Sequence, residues 1–208
     1  MPHRTCPTST YYEDHAAAFF ADTATVDLAP LYARFLVHLP TGALRLDAGC
    51  GSGRDARAFL ARGYAVTAFD ASPTLAARAS AHGGLPVQAR RFQNIDWHCE
   101  VDGICACASL LHVPLTELPA ALDRLAMPLK PRGALYASFK YGRRGRKHGG
   151  RWLVETGLAV LRVGVPAFTE LETWTTADQR PGRADEQWLN TLLARTERHL
   201  CGWNNATF

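Results

Sequence analysis

Asp47, Gly49, Gly51, Gly53 and Asp70 are the residues from which this 208-residue chain can build a binding site. They lie in one run, LRLDAGCGSGRDARAFLARGYAVTAFD, at positions 44–70. Three glycines at alternate positions make a turn whose backbone can approach a ligand closely. Asp47, just before the turn, can accept from an ammonium group. Asp70 falls about one strand–helix–strand unit later, where a carboxylate can take both hydroxyls of a ribose. A dinucleotide fingerprint would need a further glycine where Arg54 stands. A phosphate loop would need Lys and then Ser or Thr after the last glycine, and neither is there. The turn therefore suits a nucleoside-like ligand without phosphate, with a Rossmann-type site for another nucleotide as the alternative.

Other residues have side chains able to act on a substrate. His112 follows the apolar run DGICACAS and has an ordinary pKa of about 6.5, so it can serve as a base or simply pack and cap. Lys140 ends a later apolar run. Arg180 and Arg183 flank Pro181-Gly182, a turn that can bring both guanidinium groups to one side. They can clamp an oxyanion or pair internally with Asp178, Asp185 or Glu186. The segment YGRRGRKHGGR at 141–151 is the one dense basic run and reads as a loop. It is either a solvated linker or a grip on nucleic-acid phosphates. The six cysteines contain no Cys-x-x-Cys pair. Free thiols in a reducing compartment are expected, and no metal site.

These residues need a frame to hold them. Leu44, Leu46 and Ala48 alternate with polar residues as a strand does. Residues 54–62 have helical spacing and Gly63 stops them. Residues 64–69 form the second strand. Ser72-Pro73 opens a helix over 74–82, with Ser72 as its cap. Further strands are expected over 86–92, 102–109, 134–140, 168–175 and 187–193. Further helices are expected over 10–24, 28–39, 116–127 and 153–163. Residues 102–109 are apolar on both faces, as a central parallel strand is. A net charge of +4 is mild and does not itself argue for nucleic acid. No apolar run reaches the length of a membrane span, and the N-terminus lacks the apolar core of a signal peptide, so a cytoplasmic protein is expected.

The run strand, Asp-x-Gly-x-Gly-x-Gly, helix, strand, Asp resembles motifs I and II of the class I S-adenosylmethionine-dependent methyltransferases. GCGSGRD, the Ala68–Ser72 turn and ASLLHVP look closest to the bacterial tellurite-resistance and thiopurine-methyltransferase-like group. The likeness extends over about 11–193. Lys130-Pro131-Arg132-Gly133 also resembles the class, which usually has Gly where Arg132 stands. The resemblance implies an α/β fold, a Rossmann-like doubly wound sheet of seven strands, mostly parallel with an antiparallel last strand. It implies one domain over 1–208, with a helical lid at 10–40, a sheet core at 44–195 and a tail at 196–208.

The resemblance also implies S-adenosylmethionine as cofactor, held by Tyr12, Asp47, Ala48, Gly49, Gly51, Gly53, Asp70, Ala71, Ser72, Phe92, Gln93, Asn94, Cys107, Ala108 and Ser109. Tyr11 or Tyr12 either closes on the ligand or packs in the core. The adenine would be held by stacking and backbone groups near Phe92 and Gln93. The sixth strand of the class ends on the ligand side, which would bring Asp178, Arg180 and Arg183 to the rim shared by His112 and Lys140. His112, Lys140, Arg180 and Arg183 are thus the expected catalytic and substrate-binding residues. The expected substrate is a small, anionic molecule with an O, N or S acceptor. An RNA-modifying enzyme using the basic loop at 143–151, or a non-catalytic cofactor-binding partner subunit, are the alternatives.

Overall fold

The computed structural model describes residues 7–141, 145–148, 151–154 and 166–196. Its frame is a seven-stranded mixed sheet, accompanied by a separate two-stranded hairpin. The strands are β1 (Leu44–Ala48), β2 (Ala65–Asp70), β3 (Val87–Ala89), β4 (Val101–Ala106), β5 (Leu129–Lys140), β6 (Gly145–His148), β7 (Arg151–Val154), β8 (Phe168–Ala177) and β9 (Gln187–Arg195). The helices are α1 (Pro7–Asp14), α2 (Ala16–Thr23), α3 (Ala29–Leu36), α4 (Arg54–Leu60), α5 (Pro73–Gly83) and α6 (Leu118–Ala126). The large sheet runs β3-β2-β1-β4-β5-β9-β8. Its first five strands are parallel, and β9 inserts antiparallel between β5 and β8. The expected α/β architecture and its antiparallel last strand are both present. Because β8 and β5 each oppose β9, they point the same way, and both end on the edge where β1 and β4 end.

Side-chain alternation explains why the sheet is covered on both faces. Leu46, Ala48, Ile104, Ala106, Leu135, Ala137 and Phe139 pack in one layer. α6 covers that layer with Leu118, Ala121, Leu122 and Leu125, a stripe at helical spacing. Cys105, Ala134, Tyr136 and Leu192 face the other way and meet Phe35 and Phe59. Burying a side chain such as Phe59 or Leu125, both without solvent exposure, contributes about 2–3 kcal/mol each. With both faces packed, the strand ends are the place left for a ligand.

Several local expectations need correction. The single helix expected over 10–24 breaks at His15 into α1 and α2. The third strand is only Val87–Ala89, and Phe92–Asn94 form a 3-10 turn instead. The turn expected at 130–133 lies within β5, where Arg132 has a φ of 64°. That left-handed conformation strains any residue with a Cβ, which is the physical reason glycine suits this position. The loop expected over 141–151 contains most of a β6–β7 hairpin, and 151–154 is strand rather than the start of a helix. The rest of that expected helix, at 155–163, lies outside the described residues, as does the tail beyond 196. Cys99 is disulfide-bonded, so the expectation of free thiols holds for Cys50, Cys105 and Cys107 but not for Cys99. Among the described residues no helix is long and apolar enough to cross a membrane.

Candidate functional site

The glycine turn is built by backbone geometry that few other residues could adopt. The amides of Gly49 and Cys50 both donate to Phe69 O, at 2.9 and 3.0 Å, folding the turn back over β2. Gly49 has a φ of 75°, and a Cβ there would lie 2.6 Å from Ser109 Cβ. Gly51 has a φ of 56°, and its Cβ would meet the Phe19 ring at 2.9 Å. Gly53 has another task. It begins α4 in the left-handed conformation and lets Ala79 of α5 approach to 3.0 Å of its notional Cβ. It therefore lets the start of α4 pack closely against α5.

Both acids of the motif are buried and hydrogen-bonded to backbone. Asp47 lies beneath the turn, where its Oδ2 accepts from Ala56 N at 2.8 Å. Gly53 has no side chain to cap α4, and Asp47 satisfies an otherwise open amide of its first turn. Burial raises its pKa, and the neighbouring Asp55 adds to the rise. Asp70 accepts from Gly51 N through Oδ2 and from Ser72 N through Oδ1, each at 2.8 Å. Each carboxylate oxygen keeps a second acceptor position, and Asp70 lines a cavity. Burial raises its pKa, while the amides of Ser72 and Gly51 oppose the rise.

Two cavities flank the turn. The first, of about 330 Å³, is bounded by Asp70, Leu75, Phe92, Gln93, Ser109 and Pro114 among others. Phe92 stands edge-on to Phe69 with ring centroids 5.5 Å apart. Ser109 Oγ donates to Ala48 O at 2.7 Å, tying the β4 end to the β1 end. The second, of about 270 Å³, reaches across to Tyr136, Ser138, Lys140, Trp188 and Asn190. Tyr12, Phe19, Gly49, Gly51, Ala108 and His112 line both. Ala108 has a φ of 52°, a strained conformation at the seam, and its amide is held by Ser138 Oγ at 2.8 Å.

Tyr12, from α1, is hydrogen-bonded through its hydroxyl to His112 Nε2 at 2.8 Å, over that seam. α1 is itself anchored to the start of α5. There Glu13 accepts from Thr74 Oγ1 at 2.5 Å, and Ser72 caps α5 by accepting from Leu75 N at 3.1 Å. Near the turn, Arg54 donates to both Asp55 oxygens, at 2.7 and 3.0 Å, and Tyr32 Oη donates to Asp55 at 2.5 Å. Cys107 borders this group. Burial, and then the nearby Asp55 charge, push its thiol up to about 12, so it is not a thiolate near neutral pH.

The far wall of the second cavity is a network of charges. Asp178 Oδ1 accepts from Arg180 Nε at 2.9 Å and Arg180 N at 3.0 Å. Its Oδ2 accepts from an Arg180 terminal nitrogen at 2.5 Å, Trp188 Nε1 at 3.0 Å and Lys140 Nζ at 3.1 Å. Lys140 also pairs with Glu186, and Arg183 lies 3.5 Å from Glu186. Burial alone would raise the Asp178 pKa. The hydrogen bonds from Arg180, Trp188 and Lys140 outweigh it and hold the carboxyl well below the usual range.

His112, Lys140, Arg180 and Arg183, expected from distant parts of the sequence, do line one cavity. The two arginines carry internal partners, which was the alternative left open for them. Tyr12, Gly49, Gly51, Asp70, Ala71, Ser72, Phe92, Gln93, Cys107, Ala108 and Ser109 line one or both cavities. Asp47, Ala48, Gly53 and Asn94 do not line either. The first three shape the turn from behind, and Asn94 is exposed on the outer side of its 3-10 turn. Sequence reading did not place Phe19, Arg54, Asp55 or Tyr136 in the site, and it took Trp188 and Asn190 as structural residues. Alternation along β9 could have found the last two. Lys140 pairs with Trp188 and Ser138 with Asn190, so all four share a sheet face.

Residues 46–133 match the family model described as "Methyltransferase domain". Over 105 residues the chain is 37% identical to a ubiquinone biosynthesis O-methyltransferase of Xylella fastidiosa (strain 9a5c), covering 47% of this chain and 42% of the relative. The chain thus spans less than half the length of that curated relative. A solved structure of a Burkholderia thailandensis 1,6-didemethyltoxoflavin-N1-methyltransferase, with its substrate and S-adenosylhomocysteine bound, superposes with a TM-score of 0.70. The match is 26% identical and covers 90% of this chain and 84% of that one. The N-methyltransferase NodS of Bradyrhizobium japonicum, solved with S-adenosylhomocysteine, gives 0.66 at 18% identity, over 89% and 98% of the two chains. With its strand order, glycine turn and acidic β2 end, the chain has the fold of the class I methyltransferases.

Proposed function

We propose that this chain is an S-adenosylmethionine-dependent methyltransferase acting on a small, anionic molecule held in the second cavity. The observation that carries the reading is the junction of two cavities at Gly49, Gly51, Ala108 and His112. One offers an acid and aromatic rings for a nucleoside. The other offers polar and charged groups for an acceptor. The ubiquinone and toxoflavin enzymes named above act on small molecules, which supports that substrate class.

The residues present fit the cofactor. Gly49 and Gly51 line both cavities, and a Cβ at either would collide with Ser109 or the Phe19 ring, so glycine lets bare backbone meet the ligand there. Asp70 would accept from the ribose hydroxyls, and Phe92 with Gln93 would border the adenine. Arg54 beside Asp55 presents a cation and an anion to an α-amino acid zwitterion, and Tyr12 closes over it from the lid. Asp47 supports this arrangement from below by fixing α4. When bound, S-adenosylmethionine supplies an electrophilic methyl group on a sulfonium, so the protein chiefly has to align the acceptor and exclude water.

The chain's own groups can do both. Tyr12, Phe19 and His112 wall the seam, and Ser138, Asn190 and Trp188 set the far boundary. His112 is the group at the seam able to take a proton from a hydroxyl or amine acceptor, with the Tyr12 hydroxyl giving its proton to Nε2 as it takes the acceptor's. Asn190 is locked by Tyr136, which donates to its Oδ1 at 2.7 Å, and by its own bond to Thr176 at 3.0 Å. Calorimetry with S-adenosylhomocysteine tests the reading. One-site binding that raises the unfolding temperature is expected, and absence of binding at millimolar ligand overturns it.

A further inference from the structure

We propose that Glu186 is an exchangeable counter-ion in the acceptor cavity, and that the oxyanion of the substrate takes its place on Lys140 and Arg183. The identity of the cavity rests on the methyltransferase reading, but the exchange is a property of the charges themselves. On the far wall of this cavity, away from the Arg54–Asp55 pair, stand the cations Lys140, Arg180 and Arg183 and the acids Asp178 and Glu186. The two acids differ sharply. The Asp178 side chain is 3% exposed and takes hydrogen bonds from Arg180, Lys140 and Trp188. Glu186 is 40% exposed, and its partners among the described residues are the largely buried Lys140, 11% exposed, and Arg183, 41% exposed and 3.5 Å away. The pair with Arg183, exposed on both sides, contributes little because water and salt solvate both groups nearly as well apart, and Lys140 keeps Asp178 as its anion when Glu186 leaves. Asp178 is thus a fixed part of the wall and Glu186 a replaceable one.

The wall keeps its shape when the Glu186 side chain leaves. Lys140 Nζ rests over the Trp188 ring, 4.1 Å from its centroid, and remains bonded to Asp178 Oδ2. Trp188 is held by its own bond to Asp178. The Glu186 backbone is tied at both groups, its amide to Arg183 O at 2.9 Å and its carbonyl to Asp178 N at 2.8 Å. Only the carboxylate need swing outward. Lys140 then offers an ammonium donor at the cavity wall, and Arg183 a guanidinium beside it. A substrate carboxylate or phosphate replaces one anion with another, so the network's charge balance is kept. A neutral analogue would have to leave Glu186 in place. Glu186 thereby competes with anionic ligands alone and tempers how tightly they bind.

Benzoate and inorganic phosphate as the probes, with benzamide as the neutral control, test this by calorimetry. Glu186→Gln should bind benzoate or phosphate about tenfold more tightly than the wild type, since the internal competitor is gone. Benzamide binding should not change. Lys140→Gln added to Glu186→Gln should abolish the gain. Glu186→Asp, whose shorter side chain cannot span both cations, should fall between. The proposal is overturned if Glu186→Gln binds both anions no more tightly than the wild type, or binds neither, or if benzamide gains equally. Circular dichroism of each variant checks folding. If Glu186→Gln does not fold, the Glu186→Asp result decides on the same criterion. Wild-type binding of S-adenosylhomocysteine is measured separately, so failure of the cofactor reading and failure of the exchange give different results.

Discussion

Replacing Asp70 with alanine should weaken the cofactor complex about a hundredfold while softening, without abolishing, the fold. Each Asp70 oxygen already accepts one backbone amide, from Gly51 or from Ser72, and a carboxylate that lines the first cavity has acceptor capacity beyond those two bonds. Two charge-assisted bonds to ribose hydroxyls, at about 1.5 kcal/mol each, amount to about 3 kcal/mol, or roughly two orders of magnitude in Kd. Two amides would also lose their partner in a place where Asp70 is only 9% exposed. Each orphaned amide costs about 1–3 kcal/mol. Part of that is offset because burial disfavours the Asp70 charge, as its raised pKa shows. A net destabilisation of about 2 kcal/mol is expected from these terms. Calorimetry with S-adenosylhomocysteine reads the first effect and urea unfolding the second. Asp70→Asn, which keeps one acceptor, should fall between. If the folded alanine variant binds S-adenosylhomocysteine within twofold of the wild type, Asp70 merely holds the turn and the ribose assignment is wrong.

Two further perturbations probe the frame and the far wall. Gly49→Ala places a Cβ at a φ of 75° and 2.6 Å from Ser109 Cβ, so a loss of about 2–4 kcal/mol and weaker S-adenosylhomocysteine binding are expected; an unchanged Tm contradicts the turn geometry. Asp178→Asn should cost about 3 kcal/mol at pH 7, because it breaks a buried, multiply bonded carboxylate. The folded-state pKa of Asp178 lies below its unfolded value, so its stabilisation is complete above the unfolded pKa of about 3.9 and is lost as pH falls below it. Urea midpoints at pH 7 and pH 3 should therefore show the gap between variant and wild type narrowing in acid, and a constant gap refutes the assignment.

The parts of the fold legible in the sequence are those in which each residue answers to near neighbours. Leu46 and Ala48 read as the buried face of a strand because they alternate with polar residues, and the run from Ile104 to Ala106 reads as a buried strand because it is apolar on both faces. Ser72-Pro73 reads as a helix start because the cap and the following proline act within a single turn. The far wall of the second cavity was harder to read because it depends on register between distant strands. Trp188 and Asn190 resemble packing residues until β9 is laid against β5, opposite Lys140 and Ser138. Arg180 and Asp178 are neighbours in sequence, yet their two-pronged pairing depends on how the chain leaves β8. Glycine-rich composition suggested a loop where β6 and β7 pair, because a hairpin and a loop share the same turn residues.

Asp47 shows how one residue type can serve two ends. An acid closing β1 can reach a ligand's ammonium group or an amide in the helix that follows, and its position in sequence is the same in both cases. The structure gives it to Ala56 N, in the first turn of α4. Asp70 likewise takes Gly51 N. In a dinucleotide-binding fold the amides of this turn and helix start meet a pyrophosphate. Here two such donors are already bound to carboxylates, which would also repel a phosphate brought beside them. The donors missing for a phosphate and the acid left facing the first cavity follow from the same two hydrogen bonds. A nucleoside that brings hydroxyl donors and a positive charge, and no phosphate, fits that arrangement. The glycine turn is thus a selective one, because the acids beneath it decide which ligand the freely approaching backbone can accept.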